Sequence, residues 1–357
     1  MRFVFLTQLP FSNYPSYKRA TGMGEGLACL GHEVFIAVLD CDENRRRMAY
    51  ESPHCNPLWF SKGNAVHEVL AKIRVLHSLK PDYVYAPTYG LRNLLGLRWT
   101  IPRKTKLVLE INELNSAFAR HRWFWRAAER IGLVECDVQV CASRMLETHA
   151  RQKCEKIQLH RRIIYSPYAY PFYLKGIEHK NLSAPTIVFM AALYREYGVY
   201  DVLTATHELI EEGLDLSLQI VGSGPELESA RSCVKKWGME NCINLLGFIP
   251  EEEINFVFSN ADVFVAPMRD TLQDKYRCPS KLFYYLAYGK PIVTCKIGNP
   301  YDILSDNGFY YEAENIKSMK DAIKRALTAR DFMYPDGFIA KHSWLNRAQQ
   351  FLSELAH

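Results

Sequence analysis

Residues 218–228 read LQIVGSGPELE. A short apolar, partly β-branched run ends on two glycines and passes directly into Pro, Glu and Leu, which is the pattern of a strand, a tight turn and the start of a helix. Gly222 and Gly224 allow a close backbone turn, and Pro225 suits a first helical position. Working outward, the unit recurs. TIVFMAAL, SLQIVGSG, NLLGFIP, DVFVAPM, PIVTC and FYYEA are strand candidates, with helical runs opening at Val199, Pro225, Glu251, Ser280, Tyr301 and Ile316. Alternation of this kind predicts an α/β fold whose parallel, doubly wound sheet is covered by helices on both faces.

Towards the N-terminus the pattern repeats independently. RFVFLT, EVFIAVL, YVYAP, KLVLEIN, DVQVCAS and RIIYSP are strands, with helical runs such as YKRATGMGEGLACLG and NAVHEVLAKIRVLHSL between them. Residues 167–185, PYAYPFYLKGIEHKNLSAP, read as a linker. The expected division is a Rossmann-like domain over 1–175, a second Rossmann-like domain over 183–335, and a final helical segment over 336–357. Ligands of doubly wound sheets bind at strand carboxyl ends, so a cleft between the two domains is the expected site.

Bulk properties narrow the function. The 357 residues fit two domains better than one. No apolar stretch approaches the roughly 18 residues of a spanning helix, and the opening MRFVFLTQLP lacks a small-residue cleavage site, so it reads as the first strand. Ten cysteines occur without a C-x-x-C pair, which favours a reducing cytoplasm. Residues 1–180 hold 27 Lys/Arg and 16 Asp/Glu, while the remainder hold 17 and 23. The basic first half implies an anionic partner there.

In the second half, IVFMAALYREYGVYDVLTA, LQIVGSGPELE, INLLGFIPEEEI, ADVFVAPM, CPSKLFYYLAYGKPIVTCKIGNPYDIL and DNGFYYEAENIKSMKDAIKRAL follow one another. Their order and content resemble the GT-B glycosyltransferases, most closely retaining glycosyltransferase family four, also called glycosyl transferases group one. The resemblance implies two Rossmann-like domains and transfer of a sugar from a nucleoside diphosphate sugar to a hydroxyl. Retention, no cofactor and no metal are implied with it. The lone D-x-D, Asp40-Cys41-Asp42, lies outside the donor half, and the histidines show no ligand spacing.

The resemblance also implies a donor site around Arg195, Gly222, Gly224, Phe248, Ile249, Arg277, Ser280, Lys281, Leu282 and Tyr284. Ser280 is expected to cap a helix ended by Gly289, and the free amides of that helix start would meet the diphosphate. The chain departs from the family at instructive places. Tyr276 and Tyr284 occupy the positions of two usual glutamates, and Asp270 or Asp274 is a candidate replacement. Ala192 and Tyr197 stand where a basic pair is usual, with Arg195 between them as a displaced clamp. Asn112 takes the place of a sugar-facing His, with Glu110 and Glu113 beside it. The candidate catalytic residues are Asn112, Glu113 and Tyr276.

Acceptor or membrane contacts are expected from Lys18 and Arg19, and from NSAFARHRWFWRAAERIG, which carries Phe118, Arg120, Arg122, Trp123, Phe124, Trp125, Arg126 and Arg130. The implied acceptor is a glycan or lipid-linked hydroxyl in envelope polysaccharide synthesis, met in the cytoplasm or on the inner membrane face. Nucleic acid is not an expected partner, because no recognition module is present. A catalytically silent subunit that binds a glycan or partner enzyme remains the alternative, supported by the two tyrosines.

Overall fold

The computed structural model describes residues 1–7, 15–61, 63–87, 97–118, 121–174 and 184–356. Arg120, the Phe118 side chain and the central linker residues 175–183 lie outside that description.

Two compact units are present. The first comprises Met1–Tyr173, Lys275–Cys278 and Ala340–His357, and the second Leu174–Asp274 and Pro279–Ile339. Among the described residues the first unit contains a sheet of β1 (Arg2–Leu6), β2 (Glu33–Leu39), β3 (Asn56–Phe60), β4 (Tyr83–Ala86), β5 (Lys106–Ile111), β6 (Val138–Cys141) and β7 (Arg162–Tyr165). Its order is β3-β2-β1-β4-β5-β6-β7. Every neighbouring pair is parallel. Central strands are buried on both faces: Phe3, Val4, Phe5, Val84, Tyr85, Leu107, Val108 and Leu109 are all core. That is why they read as continuous apolar runs.

The edge strand β3, NPLWF, was not anticipated. It is short, has no fully buried residue and contains Pro57, so it carries little burial signal. Helices α1 (Pro15–Cys29), α2 (Asp42–Glu51) and α3 (Ala65–Leu79) connect the first strands.

The C-terminal helix Trp344–Ala356 packs on α1 through a seam of small residues. A Cβ at Gly22 would fall 2.2 Å from Trp344 Nε1, and one at Gly26 would fall 2.6 Å from the Trp344 carbonyl oxygen. The opening of the expected linker is part of this core. Tyr168 and Ala169 are buried, the Tyr168 and Trp344 rings meet edge to face at 5.9 Å, and the Tyr170 amide donates to the His342 carbonyl at 3.0 Å. Aromatic residues that look like a polar, Pro-rich connection thus fill space beneath the returning helix.

The second unit carries β8 (Thr186–Met190), β9 (Ser217–Val221), β10 (Ile243–Gly247), β11 (Val263–Ala266), β12 (Ile292–Cys295) and β13 (Phe309–Tyr311), ordered β10-β9-β8-β11-β12-β13. All pairs are again parallel. Both sheets therefore reverse direction of growth beside their first strand, at β1/β4 and β8/β11, the doubly wound arrangement. Ile187, Phe189, Leu218, Ile220, Val263, Val265 and Val293 form the core, covered in part by Val202, Leu203 and Leu209 of the helix Val199–Glu211.

Candidate functional site

In the second unit, the carboxyl end of β8 and the turn after β9 are pressed together backbone to backbone. Gly222 has φ +132°, and a Cβ there would fall 1.8 Å from the Ala191 carbonyl oxygen; at Gly224 it would fall 2.5 Å from that of Leu193. The Leu193 amide donates to Ser223 O at 2.9 Å, and the Glu226 amide to Leu193 O at 3.0 Å. No residue but glycine fits the first position without moving main chain. The helix that follows spans Leu227–Trp237, because Gly224, Pro225 and Glu226 are held in the turn.

A short helix, Lys281–Leu286, is tied to this strand end. The Tyr285 hydroxyl accepts from the Met190 amide at 2.7 Å and donates to the Val265 carbonyl at 3.4 Å. It thereby bridges β8 and β11, the strands flanking the switch point. One turn earlier, Lys281 Nζ lies 4.8 Å from the centroid of the Phe189 ring in β8. On another side of the helix, Tyr284 is buried and donates to Glu251 Oε2 at 3.3 Å. Glu251 opens the helix Glu251–Ser259, where the helix dipole favours a carboxylate. Just before it, Phe248 is 52% exposed and Gly247 turns with φ +74°.

Several expectations at this corner need correction. Ser280 makes no side-chain cap; its backbone is already helical at φ −59°, and the helix is only 6 residues long. Leu282 is a core side chain, and its amide is spent on the Pro279 carbonyl at 3.2 Å. Asp274 is buried and accepts from the Arg269 amide at 2.6 Å, so it organises its own loop. Gly289 does follow the helix in the left-handed region, at φ +67°. Arg195 is exposed at the start of a short 3-10 turn, 5.8 Å from the Tyr200 ring, and its carbonyl accepts from Arg269 Nη2 at 3.1 Å.

Tyr276 and Arg277 belong to the first unit. Ser143 caps the helix Arg144–Lys156 by accepting from the Leu146 amide at 3.2 Å, and its hydroxyl donates to the Tyr276 carbonyl at 2.7 Å. The Cys278 sulfur accepts from the Tyr168 amide at 3.4 Å. These bonds fix the Lys275–Cys278 segment on the first unit, which local sequence patterning does not reveal. The Tyr276 ring meets His149 edge to face at 6.0 Å. Burial, with the Lys153 charge, holds that imidazole below its ordinary pKa.

Glu113 is exposed as a residue, yet desolvation by the surrounding protein pushes its carboxyl above the ordinary value, and the Arg277 guanidinium pulls the other way. Asn112 donates to the Pro87 carbonyl at 2.8 Å, and its Oδ1 has no hydrogen-bond partner among the described residues. The structure thus brings Glu113 and Arg277 into electrostatic contact, and Tyr276 onto Ser143 and His149.

Two neighbouring calls separate. Arg19 is fully buried, paired with Glu110 and with the Ser166 carbonyl. Its guanidinium stacks at 4.8 Å on the Tyr168 ring, and the Tyr85 hydroxyl donates to Glu110 at 2.8 Å. It serves the core and cannot meet an acceptor or a membrane. Lys18, next in chain, is half-buried. On the helix Arg122–Glu135, Arg122, Arg126 and Arg130 are exposed and Trp123 is 74% exposed, whereas Phe124 and Trp125 are half-buried. Asp40 of the lone D-x-D is held bidentate by Arg45 at 2.7 and 2.9 Å.

Sequence reasoning missed Glu251, Tyr285 and His149. Glu251 had a usable signal, an acid directly after Pro250 at a helix start. The other two are defined only by long-range contacts.

The family model for glycosyl transferases group 1 matches residues 184–329. The chain is 28% identical over 131 residues to the putative colanic acid biosynthesis glycosyltransferase WcaL of Escherichia coli, covering 36% of this chain and 32% of that protein. It is 26% identical over 154 residues to the amylovoran biosynthesis glycosyltransferase AmsK of Erwinia amylovora, covering 43% and 37%. The matched stretches span about a third of these curated relatives.

Among solved structures, Anabaena HepE in complex with UDP and glucose superposes with TM-score 0.74 at 14% identity, covering 100% of this chain and 99% of that one. Sucrose-phosphate synthase from Thermosynechococcus elongatus gives 0.73 at 15%, covering 99% and 98%. Residues 184–329 therefore match the model of glycosyl transferases group 1, in a chain with the GT-B fold.

Proposed function

We propose that the chain is a glycosyltransferase that moves a sugar, with retention, from a nucleoside diphosphate sugar to a hydroxyl of a glycan or lipid-linked acceptor in cell-envelope polysaccharide assembly. The observation that carries this reading is the corner at the β8/β11 switch point, where Lys281 is held at the strand end by the Tyr285 bridge. Its ammonium supplies the cation that a departing diphosphate requires, with Arg195 as a second cation. Glu251, anchored by Tyr284, provides the carboxylate that the family draws from the tyrosine position. The names of the colanic acid and amylovoran relatives support an envelope acceptor, and the UDP held by HepE makes uridine donors the first to test.

In the reaction, the bond between the anomeric carbon and the diphosphate oxygen breaks. A bond from the acceptor oxygen to that carbon forms on the same face, and the acceptor proton passes to the departing phosphate. The protein then contributes mainly charge stabilisation, and no side-chain carboxylate nucleophile is needed. Asn112, Glu113 and Tyr276 would orient sugar hydroxyls.

The helix Arg122–Glu135 supports a peripheral lipid surface as the place of the acceptor. Trp123, Ile131 and Val134 are exposed beside Arg122, Arg126 and Arg130, pairing apolar groups with cations suited to anionic headgroups. Co-sedimentation with phosphatidylglycerol vesicles, lost in Trp123→Ala/Arg126→Glu, tests that part.

The activity test is incubation with UDP-sugars and lipid-linked oligosaccharide acceptors, with the product linkage read by NMR. An α-linked product from an α-configured donor supports the reading. An inverted product would overturn retention, and absence of turnover with any nucleotide sugar would favour the silent subunit.

A further inference from the structure

Away from the donor corner, in the first unit, four side chains with metal-binding atoms converge where the last turns of α1 meet the turn between α2 and β3. Glu25 and Cys29 are one helical turn apart on α1. His54 and Cys55 lie in the turn that leads into β3. The donor atoms of Glu25, Cys29 and His54 all lie within 4.8 Å of one another.

Glu25 is buried and sits at the centre. One of its oxygens contacts His54 Nδ1 and lies 3.7 Å from Cys29 Sγ. The other accepts from the His54 amide at 3.1 Å and lies 3.8 Å from Cys55 Sγ.

The frame holding these groups is built from main-chain contacts. The Ser52 hydroxyl donates to the Thr21 carbonyl at 3.1 Å, and the Cys55 amide donates to the Ser52 carbonyl at 3.1 Å. Gly24 packs beside the cysteine, where an added Cβ would lie 3.4 Å from Cys55 Sγ and 3.1 Å from Ile36 Cδ1. The Ser52–Thr21 bond ties the turn to α1 without using the four side chains, and the His54 amide adds a second tie through Glu25.

The donor set selects the ion. Glu25, Cys29 and His54 supply three mutually close donors, and Cys55, 3.8 Å from Glu25 but outside that set, is the fourth that would complete a tetrahedral complement for Zn²⁺; thiolates disfavour Mg²⁺ and Ca²⁺. With Zn–S near 2.3 Å and Zn–N or Zn–O near 2.0–2.1 Å, sulfur and oxygen ligands of one ion lie about 3.5 Å apart. The sulfur to oxygen separations here, 3.7 and 3.8 Å, already approach that spacing. The two sulfurs face different oxygens of Glu25, so to gather the donors on one ion the Glu25–His54 contact must open and Cys55 must turn towards the other three, while the exposed His54 ring has room to swing towards solvent. Cys29 and His54 are both exposed, which provides an entry path.

We propose that Glu25, Cys29, His54 and Cys55 bind a zinc ion. The ion fastens the end of α1 to the α2–β3 turn, takes no part in sugar transfer, and departs from the sequence expectation of a metal-free chain. Each thiol loses its proton to solvent on binding.

The test uses the full chain, reduced and metal-stripped, then equilibrated with zinc or cobalt and desalted. Expected are stoichiometric retained zinc by mass spectrometry, a thiolate-to-cobalt charge-transfer band with intense tetrahedral d–d bands, and a higher melting temperature with zinc. Cys29→Ser and His54→Ala, both at exposed positions, should each reduce zinc affinity at least tenfold while preserving the circular dichroism spectrum. Zinc retention no greater than in the Cys29→Ser/His54→Ala double variant, or a cobalt spectrum without the thiolate band, would overturn the proposal.

Discussion

The Tyr284 hydroxyl donates to the Glu251 carboxylate at 3.3 Å, and both residues are buried. In the proposed function, this tyrosine, at a position where the resembled family usually has a glutamate, supplies a carboxylate indirectly by holding one from the neighbouring helix. Glu251→Gln is predicted to weaken nucleoside diphosphate binding about tenfold. Tyr284→Phe should weaken it less, while leaving a buried carboxylate short of a donor at about 1–3 kcal/mol in stability. Calorimetric titration and denaturant unfolding of both variants separate the two effects.

Gly222 is the position where the corner tolerates least. An added methyl meets the Ala191 carbonyl at 1.8 Å and the backbone holds φ +132°. Gly222→Ala combines strain with overpacking and is predicted to cost about 3 kcal/mol, read by denaturant unfolding. Gly238→Ala is the control. Its φ of +69° strains the backbone, but nothing lies within 4 Å of the added Cβ, so the difference between the two reports the close approach.

Arg19 was read as an acceptor or membrane contact and proves to be a buried ion-pair partner of Glu110. Burial pushes the Glu110 carboxyl up, against the opposing pull of Arg19 and Tyr85. Arg19→Met leaves that carboxylate without its cation and is predicted to cost about 3–5 kcal/mol; Arg19→Met/Glu110→Leu should recover most of it. Urea unfolding of the single and double variants checks this. A loss of vesicle binding without loss of stability would restore the surface role.

His342 sets an acid limit. It is buried, and burial together with Arg347 and Lys341 pushes its pKa down from 6.5 to about 3. Arg347 Nη2 donates to its Nδ1 at 3.0 Å, which requires that nitrogen unprotonated. Between those pKa values the unfolded chain binds more protons than the folded one, so this contribution is complete above about pH 6.5 and is lost as pH falls towards 3. His342→Gln should flatten the pH dependence of unfolding over that window.

The legibility of the sequence followed burial. Strands covered on both faces, such as β8 and β11, announced themselves as apolar runs, whereas β3, at an edge and broken by Pro57, did not. At the site, backbone demands were visible: Gly222 and Gly224 were legible because only glycine meets them. Side-chain roles that depend on a distant partner were not. Ser280 looked like a cap because it precedes a helix, but the turn enters that helix already in helical conformation. Residues 167–174 looked like a linker because the partners of the Tyr168 ring, Arg19 and Trp344, are remote in sequence. Glu25, Cys29 and His54 share no spacing that marks a metal set, since a strand and a helix separate them in the chain.

Donor nucleotide binding at the corner around Lys281 is decided by calorimetric titration of the protein with UDP, GDP, dTDP and ADP, repeated on Lys281→Ala. One nucleotide is expected to bind in the micromolar range, and the variant to lose at least tenfold in affinity with its fold intact. Absence of binding to all of them, or equal affinity in Lys281→Ala, would remove the donor site from this corner.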